Sequence, residues 1–348
     1  MIALAQVPAP ASPLVSLQTR DLTVGYRTRG AHRVVLEHLN LAARAGELVC
    51  VLGPNGSGKS TLLRTFARMQ PPLSGQIELD GLSLAALTQL EVARRLSVVL
   101  ADRVLVEALP ARRVVELGRY AHSNWFGHVS DEDKRAVDWA IDVVGAAAVA
   151  ERDFLELSDG ERQRILIARA LAQQPHVLLL DEPAAFLDLP SRIELMTLLR
   201  RLTRRDHLAV IVSTHDLETA LRIADVLWLI MPNGELAVGA PEDVVMSGGI
   251  ARAFEGRHLR FSSEGRTFSW LTAAQGSASV RGAGLSAAMA TAVLEREGYC
   301  VVDDGDRECD VRVDVNADGW SMGSPDGDCS GTDYASLAAS LRGRTARP

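Results

Sequence analysis

Two stretches of this 348-residue chain carry residue types and spacings suited to phosphate chemistry. The first, Gly53-Pro54-Asn55-Gly56-Ser57-Gly58-Lys59-Ser60-Thr61, fits G-x-x-x-x-G-K-[ST] in full. It lies between an apolar run that reads as a buried strand and a stretch that reads as a helix, which is the context the motif requires. Glycines let backbone N–H groups turn inward around phosphate oxygens, and a helix opening at Lys59 aims its positive dipole end at the same anion. In such a loop Lys59 places a point charge on the β- and γ-phosphates of a nucleotide, and Ser60 offers its hydroxyl to Mg²⁺. The chain has 35 Arg but only two Lys, Lys59 and Lys134, so the compact ammonium stands apart from a guanidinium background.

The second stretch is Leu178-Leu179-Leu180-Asp181-Glu182. A buried apolar strand ending in a carboxylate puts Asp181 at the carboxyl edge of a sheet, within reach of the Mg²⁺ shell. Glu182 is then placed to take a proton from an attacking water. An acidic pair after a strand is common by itself; downstream of a phosphate loop it gains meaning. His215 follows another apolar strand, Ala209–Ser213. A lone His is usually a satisfied surface or core group, but emergence at the same edge points to a γ-phosphate contact.

With these residues in place, the chain resembles the nucleotide-binding subunit of ATP-binding cassette (ABC) transporters. Leu157-Ser158-Asp159-Gly160-Glu161-Arg162-Gln163 looks like the family's signature, usually Leu-Ser-Gly-Gly-Gln, and stands shortly upstream of Asp181 as the family requires. A helix starting near Gly160 would make Ser158, Asp159 and Gly160 a second anion site, which the resemblance implies closes over the ATP of another subunit. Ala185-Phe186-Leu187-Asp188 looks like the D-loop, and Tyr26 matches the aromatic that stacks on adenine. The resemblance covers about residues 14–250. It implies a P-loop NTPase cassette of α/β class, with a mixed sheet core, an antiparallel β edge and an inserted helical subdomain at about 104–156. It further implies ATP and Mg²⁺, a head-to-tail homodimer and transmembrane permease subunits. An extracytoplasmic substrate-binding protein and a place on the cytoplasmic face of the membrane complete the expectation. Gly118-Arg119-Tyr120-Ala121-His122, Trp125-Phe126-Gly127 and the Leu-Ser-Asp-Gly-Glu-Arg form of the signature look like importers of iron chelates, haem or cobalamin.

Two departures from the family pattern stand out. The Q-loop Gln falls on Ala101, in Leu96-Ser97-Val98-Val99-Leu100-Ala101-Asp102, and alanine has no amide oxygen to give. In the signature, Asp159 replaces Gly and Glu161 replaces Gln. A carboxylate aimed at a γ-phosphate would be repelled, so Asp159 is expected to face solvent or Arg162.

These groups need elements to hold them. Leu14–Leu17, Leu22–Tyr26, Val34–Leu41, Glu47–Leu52 and Gly75–Asp80 read as strands, and Ser60–Met69 as a helix stopped by Pro71 and Pro72. Leu84–Glu156 is mostly helical in period. Val177–Leu180 and Ala209–Ser213 are buried strands around a helix at Ser191–Arg204. Val226–Met231, Asn233-Gly234 and Glu235–Val238 suggest a hairpin with a type I′ turn, a helix opens at Pro241, and Ser247-Gly248-Gly249 reads as a linker. Met1–Pro13 reads as a flexible leader.

Phe261–Pro348 differs in composition, with thirteen acidic residues against eight Arg and no Lys or His. Leu285, Met289, Ala292 and Val293 recur at helical spacing, Cys300–Val302 is a short apolar run, Val311, Val313 and Val315 alternate as in a strand, and Asp333–Arg342 suggests a closing helix. A small accessory α/β domain at 261–348 follows. Cys300, Cys309 and Cys329 lack the close pairing and His of a zinc site and are expected to be small buried thiols, as is Cys50.

A net charge of −7 provides no basic field for nucleic acid. No run approaches the ~20 apolar residues that cross a bilayer. A soluble cassette ATPase acting on nucleic acid or ribosomes is the alternative; such proteins tend to carry paired cassettes, coiled coils or basic surfaces, none of which is visible. A nucleotide kinase would leave Ser158–Gln163 and His215 without a task.

Overall fold

The computed structural model describes residues 15–28, 31–100, 109–122, 130–254, 259–262, 267–270, 276–302, 309–316, 318–325 and 327–345. It divides into two compact units, residues 1–253 and 254–348. Among the described residues no helix is long and apolar enough to cross a membrane.

The first unit opens with β1 (Val15–Thr28), β2 (Ala31–Leu39) and β3 (Ala42–Arg44). The two strands expected at Leu14–Leu17 and Leu22–Tyr26 are one. Asp21 takes a left-handed φ of 47°, its N–H held by Asn40 Oδ1 at 2.9 Å, and the strand continues through the irregularity. Before this point β1 pairs with β3, and after it with β2. Then come β4 (Leu48–Leu52), buried at every residue, and α1 (Lys59–Phe66). Helix α1 ends before Met69 because Arg68 turns left-handed (φ 57°), so that the Met69 N–H meets the Arg64 carbonyl at 2.9 Å and the Arg68 N–H that of Thr65 at 3.1 Å. The prolines beyond are not what stops it.

The chain next forms β5 (Ser74–Leu79), β6 (Leu82–Ser83), α2 (Gln89–Arg95) and β7 (Leu96–Val99). Strand β7 interrupts a segment expected to be mostly helical. Its four residues continue straight from α2, too short a run for a periodicity to register. The helical insert holds α3 (Ala111–Glu116) and α4 (Asp131–Val143) and ends in a single turn at Phe154–Glu156. After it come α5 (Asp159–Ala172), β8 (Val177–Asp181), α6 (Leu189–Asp206), β9 (Ala209–Ser213), α7 (Leu217–Ile223), β10 (Val226–Ile230) and β11 (Leu236–Gly239).

The β10–β11 turn is not type I′, since Asn233 has no positive φ. Pro232 fixes a negative φ at the first loop position, and Gly234 alone turns left-handed at φ 86°. The result is a three-residue loop closed by the Gly234 N–H on Met231 O at 3.0 Å. Helix α8 (Pro241–Met246) starts at its proline; Ser247-Gly248-Gly249 is no linker but the entry to α9 (Gly249–Phe254).

The main sheet runs β11-β10-β4-β9-β8-β7, parallel except for the β11 edge, and β1, β2, β3, β5 and β6 form the antiparallel layer. Their shared core joins Leu17, Leu22 and Leu36 of the antiparallel layer to Val49, Leu179 and Ile211 of the main sheet, through Phe66 and Trp228. Burying such side chains contributes about 1.5–3 kcal/mol each.

The second unit has a hairpin, β12 (Leu259–Ser262) and β13 (Thr267–Trp270), and a sheet of β14 (Gly276–Arg281), β15 (Tyr299–Val301), β16 (Val311–Val315), β17 (Trp320–Gly323) and β18 (Cys329–Gly331) in the order β15-β14-β16-β17-β18. Helices α10 (Gly284–Arg296) and α11 (Tyr334–Thr345) pack with it, and Ala290, Leu294, Val313, Trp320 and Leu341 build a separate core. Leu285 and Met289, expected in the apolar stripe of α10, are 75% and 42% exposed; the packed face is Ala290, Val293 and Leu294. The thiols also differ from expectation: Cys300 is exposed and Cys309 and Cys329 half-buried. Cys50 is buried, which pushes its thiol up to about 12.

Candidate functional site

Strand register assembles the site. Val51 of β4 lies opposite Ser213 of β9, and Ser213 opposite Asp181 of β8. The 53–61 loop, Glu182 and His215 therefore leave the sheet at one carboxyl edge, where open α/β sheets bind ligands. Val99 of β7 pairs with Leu180, so the chain after it leaves at the same edge. The Q-loop positions Ala101 and Asp102 lie outside the described residues, as do Trp125, Phe126 and Gly127.

The loop requires its glycines. Gly58 has φ 107°, and a Cβ there would lie 2.5 Å from the Val35 side chain. Lys59, only 5% exposed, turns its Nζ back onto the carbonyls of Gly53 at 2.8 Å and Pro54 at 3.1 Å. Burial pulls its ammonium below the ordinary lysine range, against the opposing pull of Glu182 and Asp181. An ammonium with two carbonyl partners keeps one N–H for an anion. The buried Ser57 Oγ has no hydrogen-bond partner among the described residues, an unfilled donor in the same loop.

Asp181, 2% exposed, is gripped from two sides. Ser60 Oγ donates to its Oδ1 at 3.1 Å and Ser213 Oγ to the same oxygen at 2.6 Å. Ser213 Oγ also accepts the Glu182 N–H at 2.9 Å. That bond helps hold Glu182 at a left-handed φ of 47°, a conformation uncommon for Glu. His215 Nδ1 stands 3.6 Å from Glu182 Oε2. A cleft of about 310 Å³ is lined by Tyr26, Arg33, Val35, Asn55, Gly56, Gly58, Lys59, Ser60, Thr61 and Glu182. The Tyr26 hydroxyl is hydrogen-bonded to Thr61 Oγ1 at 2.9 Å while 44% of the residue stays exposed.

Reading the sequence missed Arg33, Val35 and Ser213 of this site. Arg33 is the cross-strand partner of Tyr26, a relation visible only once the hairpin register is known. Ser213 had a faint signal, a small polar residue closing an otherwise apolar strand.

Ser158, Asp159, Gly160 and Asp188 do not line the cleft. They form a second cluster, in which a Cβ on Gly160 would lie 3.8 Å from both the Leu187 and Ser191 side chains. Ser158 caps α5, and Asp188 caps α6 by accepting the Ser191 N–H at 3.0 Å. Asp159 is turned outward, 3.6 Å from Arg162.

The profile of the ABC transporter family matches residues 36–185. An uncharacterized ABC transporter ATP-binding protein of Methanocaldococcus jannaschii is 44% identical over 229 residues, which cover 66% of this chain and 78% of that protein. This chain belongs to the ABC transporter ATP-binding proteins. It is a cassette ATPase, and the P-loop fold expected from its motifs is the fold observed. The petrobactin import ATP-binding protein of Bacillus anthracis is 39% identical over 218 residues, covering 62% of this chain and 79% of that one. Among solved structures, a metal-chelate type ABC transporter in an inward-facing conformation superposes with a TM-score of 0.60 at 27% identity, over 74% of this chain and 96% of that chain.

Proposed function

We propose that this cassette is the ATP-hydrolysing subunit of an importer for an iron chelate, haem or cobalamin. It works as a head-to-tail pair on permease subunits at the cytoplasmic face of the membrane, served by an extracytoplasmic substrate-binding protein. The observation that carries the ATP-hydrolysing part of this reading is the convergence of Lys59, Ser60, Asp181, Glu182 and His215 at one sheet edge; the cargo class is supported by the likeness to the petrobactin import protein.

Tyr26 stacks on adenine, and residues 53–61 wrap the phosphates with backbone N–H groups, the third N–H of Lys59 and the orphan hydroxyl of Ser57. Ser60 and Asp181 are the oxygen donors suited to Mg²⁺, a hard cation that neutralises phosphate charge when bound. Glu182 orients the attacking water and takes its proton; His215, beside that carboxylate, contacts the γ-phosphate. Ser158 and the first N–H groups of α5 on the partner copy close over the same phosphate. Closure lasts while the γ-phosphate bridges the halves, and hydrolysis removes the bridge. A cleft of about 370 Å³ between α2 and α5, lined by Gln89, Val92, Leu117, Arg169 and Gln173, suits a permease segment. Leu90, beside Gln89, is 49% exposed and Leu117 is 53% exposed, apolar surface that a partner would cover.

The test is turnover. Glu182→Gln is expected to bind ATP and lose hydrolysis; retained turnover would remove Glu182 from its role.

A further inference from the structure

The signature of this cassette has a competitor for its own serine. Ser158 Oγ donates its single hydrogen to Glu161 Oε2 at 2.9 Å, and the Ser158 N–H donates to the same oxygen at 2.8 Å. In return Ser158 Oγ accepts the Glu161 N–H at 3.3 Å. Arg152 Nη1 lies 3.5 Å from the other carboxylate oxygen, Glu161 Oε1. The bonds from Ser158 hold the Glu161 carboxyl below the ordinary range, so it is an ionised acceptor.

A serine has one O–H to give. An ionised phosphate accepts and cannot donate, so the Ser158 hydroxyl serves either Glu161 or a γ-phosphate, never both. Bonds to ionised acceptors are about twice as strong as neutral ones, which makes the two rivals of the same class. We infer that Glu161 is a positioning residue that holds the signature serine turned away from the nucleotide, and that ATP-driven closure has to exchange the Glu161 bond for the phosphate bond. This inference rests on the reading of Ser158 as the group that meets ATP across the dimer. It adds a brake on that contact: the sandwich of this chain is looser than its phosphate loop alone would make it. Arg152 keeps the brake engaged by holding the carboxylate on its far side.

Gln also supports this type of helix cap, since its amide oxygen accepts the Ser158 N–H while offering the hydroxyl only a neutral acceptor. The experiment uses the full chain with Glu182→Gln, so that ATP is bound and not consumed, and measures MgATP-driven dimerisation by analytical ultracentrifugation. Adding Glu161→Gln is expected to tighten the dimer about three- to tenfold. In a Ser158→Ala background the same change is expected to have no effect, because no hydroxyl remains to be released. Far-UV circular dichroism checks that α5 is retained. An unchanged or weakened dimer on Glu161→Gln would overturn the inference, as would equal tightening with and without Ser158, which would mean simple removal of a negative charge. A Glu182→Gln chain that never dimerises with MgATP would instead overturn the sandwich reading, and the inference with it.

Discussion

Ser213 Oγ donates to Asp181 Oδ1 at 2.6 Å across neighbouring parallel strands, and the same oxygen atom of Ser213 accepts the Glu182 N–H at 2.9 Å. One hydroxyl thus sets the orientation of the carboxylate proposed for Mg²⁺ and of the backbone that carries the proposed base. Sheet register makes this possible, because β9 lies between β4 and β8 and Ser213 stands opposite both Val51 and Asp181.

Ser213→Ala removes a bond to an ionised acceptor, about 1.5–3 kcal/mol of support for the two acidic groups. Steady-state ATPase assays are expected to show kcat reduced about tenfold, with ATP affinity, measured by fluorescent-nucleotide titration, within about twofold of the parent. An unaltered kcat would show that Asp181 and Glu182 are held by other contacts.

Lys59 is a buried cation whose ionised form is disfavoured in the folded chain. A depressed lysine pKa lowers stability at pH below the folded value, and the loss is recovered as pH rises through it. Lys59→Met is therefore expected to abolish ATP binding yet raise the melting temperature of the nucleotide-free protein, by about 2 °C for each kcal/mol gained. A variant that melts earlier than the parent near neutral pH would contradict the assigned cost of that charge.

Within the helical insert, Arg119 Nε donates to Asp133 Oδ1 at 2.7 Å, and each side chain is 7% exposed. Burial raises the Asp133 carboxyl, but the bonds from Ser130 and Arg119 outweigh it and hold the group at about 2. The folded pKa lies below the ordinary value of 3.8, so this contribution is complete above that pH and is lost as pH falls through about 2. Asp133→Asn leaves Arg119 buried without its counter-charge and should cost about 3 kcal/mol in urea unfolding at pH 7. The difference between variant and parent should shrink below pH 4. A constant difference down to pH 2 would refute it.

The second unit has its own apolar core, built on Leu294, Val313, Trp320 and Leu341. A chain ended at residue 254 is expected to keep ATP affinity within about threefold of the full protein, since the residues of the nucleotide cleft all lie in the first unit. Loss of nucleotide binding would place part of the site's support beyond that point.

Much of the site was legible because its chemistry is local in sequence. Residues 53–61 make a loop whose backbone, glycines and lysine act together, and Asp181-Glu182 directly follow the three leucines of β8. Contacts that depend on register were not legible: Arg33 beside Tyr26 and Ser213 beneath Asp181 are neighbours only after strands pair. The fold misreadings have the same origin. Asp21 looked like a break because a left-handed residue inside a continuous strand has no periodic signature. Leu285 and Met289 looked like core because apolar spacing alone cannot tell which face of α10 meets the sheet.

The proposed function requires that ATP held at Lys59 be closed over by Ser158 of the partner subunit. Sedimentation of the Glu182→Gln chain with and without MgATP tests it most directly. A dimer is expected with MgATP, reverting to monomer on adding Lys59→Ala or Ser158→Arg; a Glu182→Gln chain that stays monomeric at saturating MgATP, or a dimer indifferent to both substitutions, would rule the shared nucleotide out.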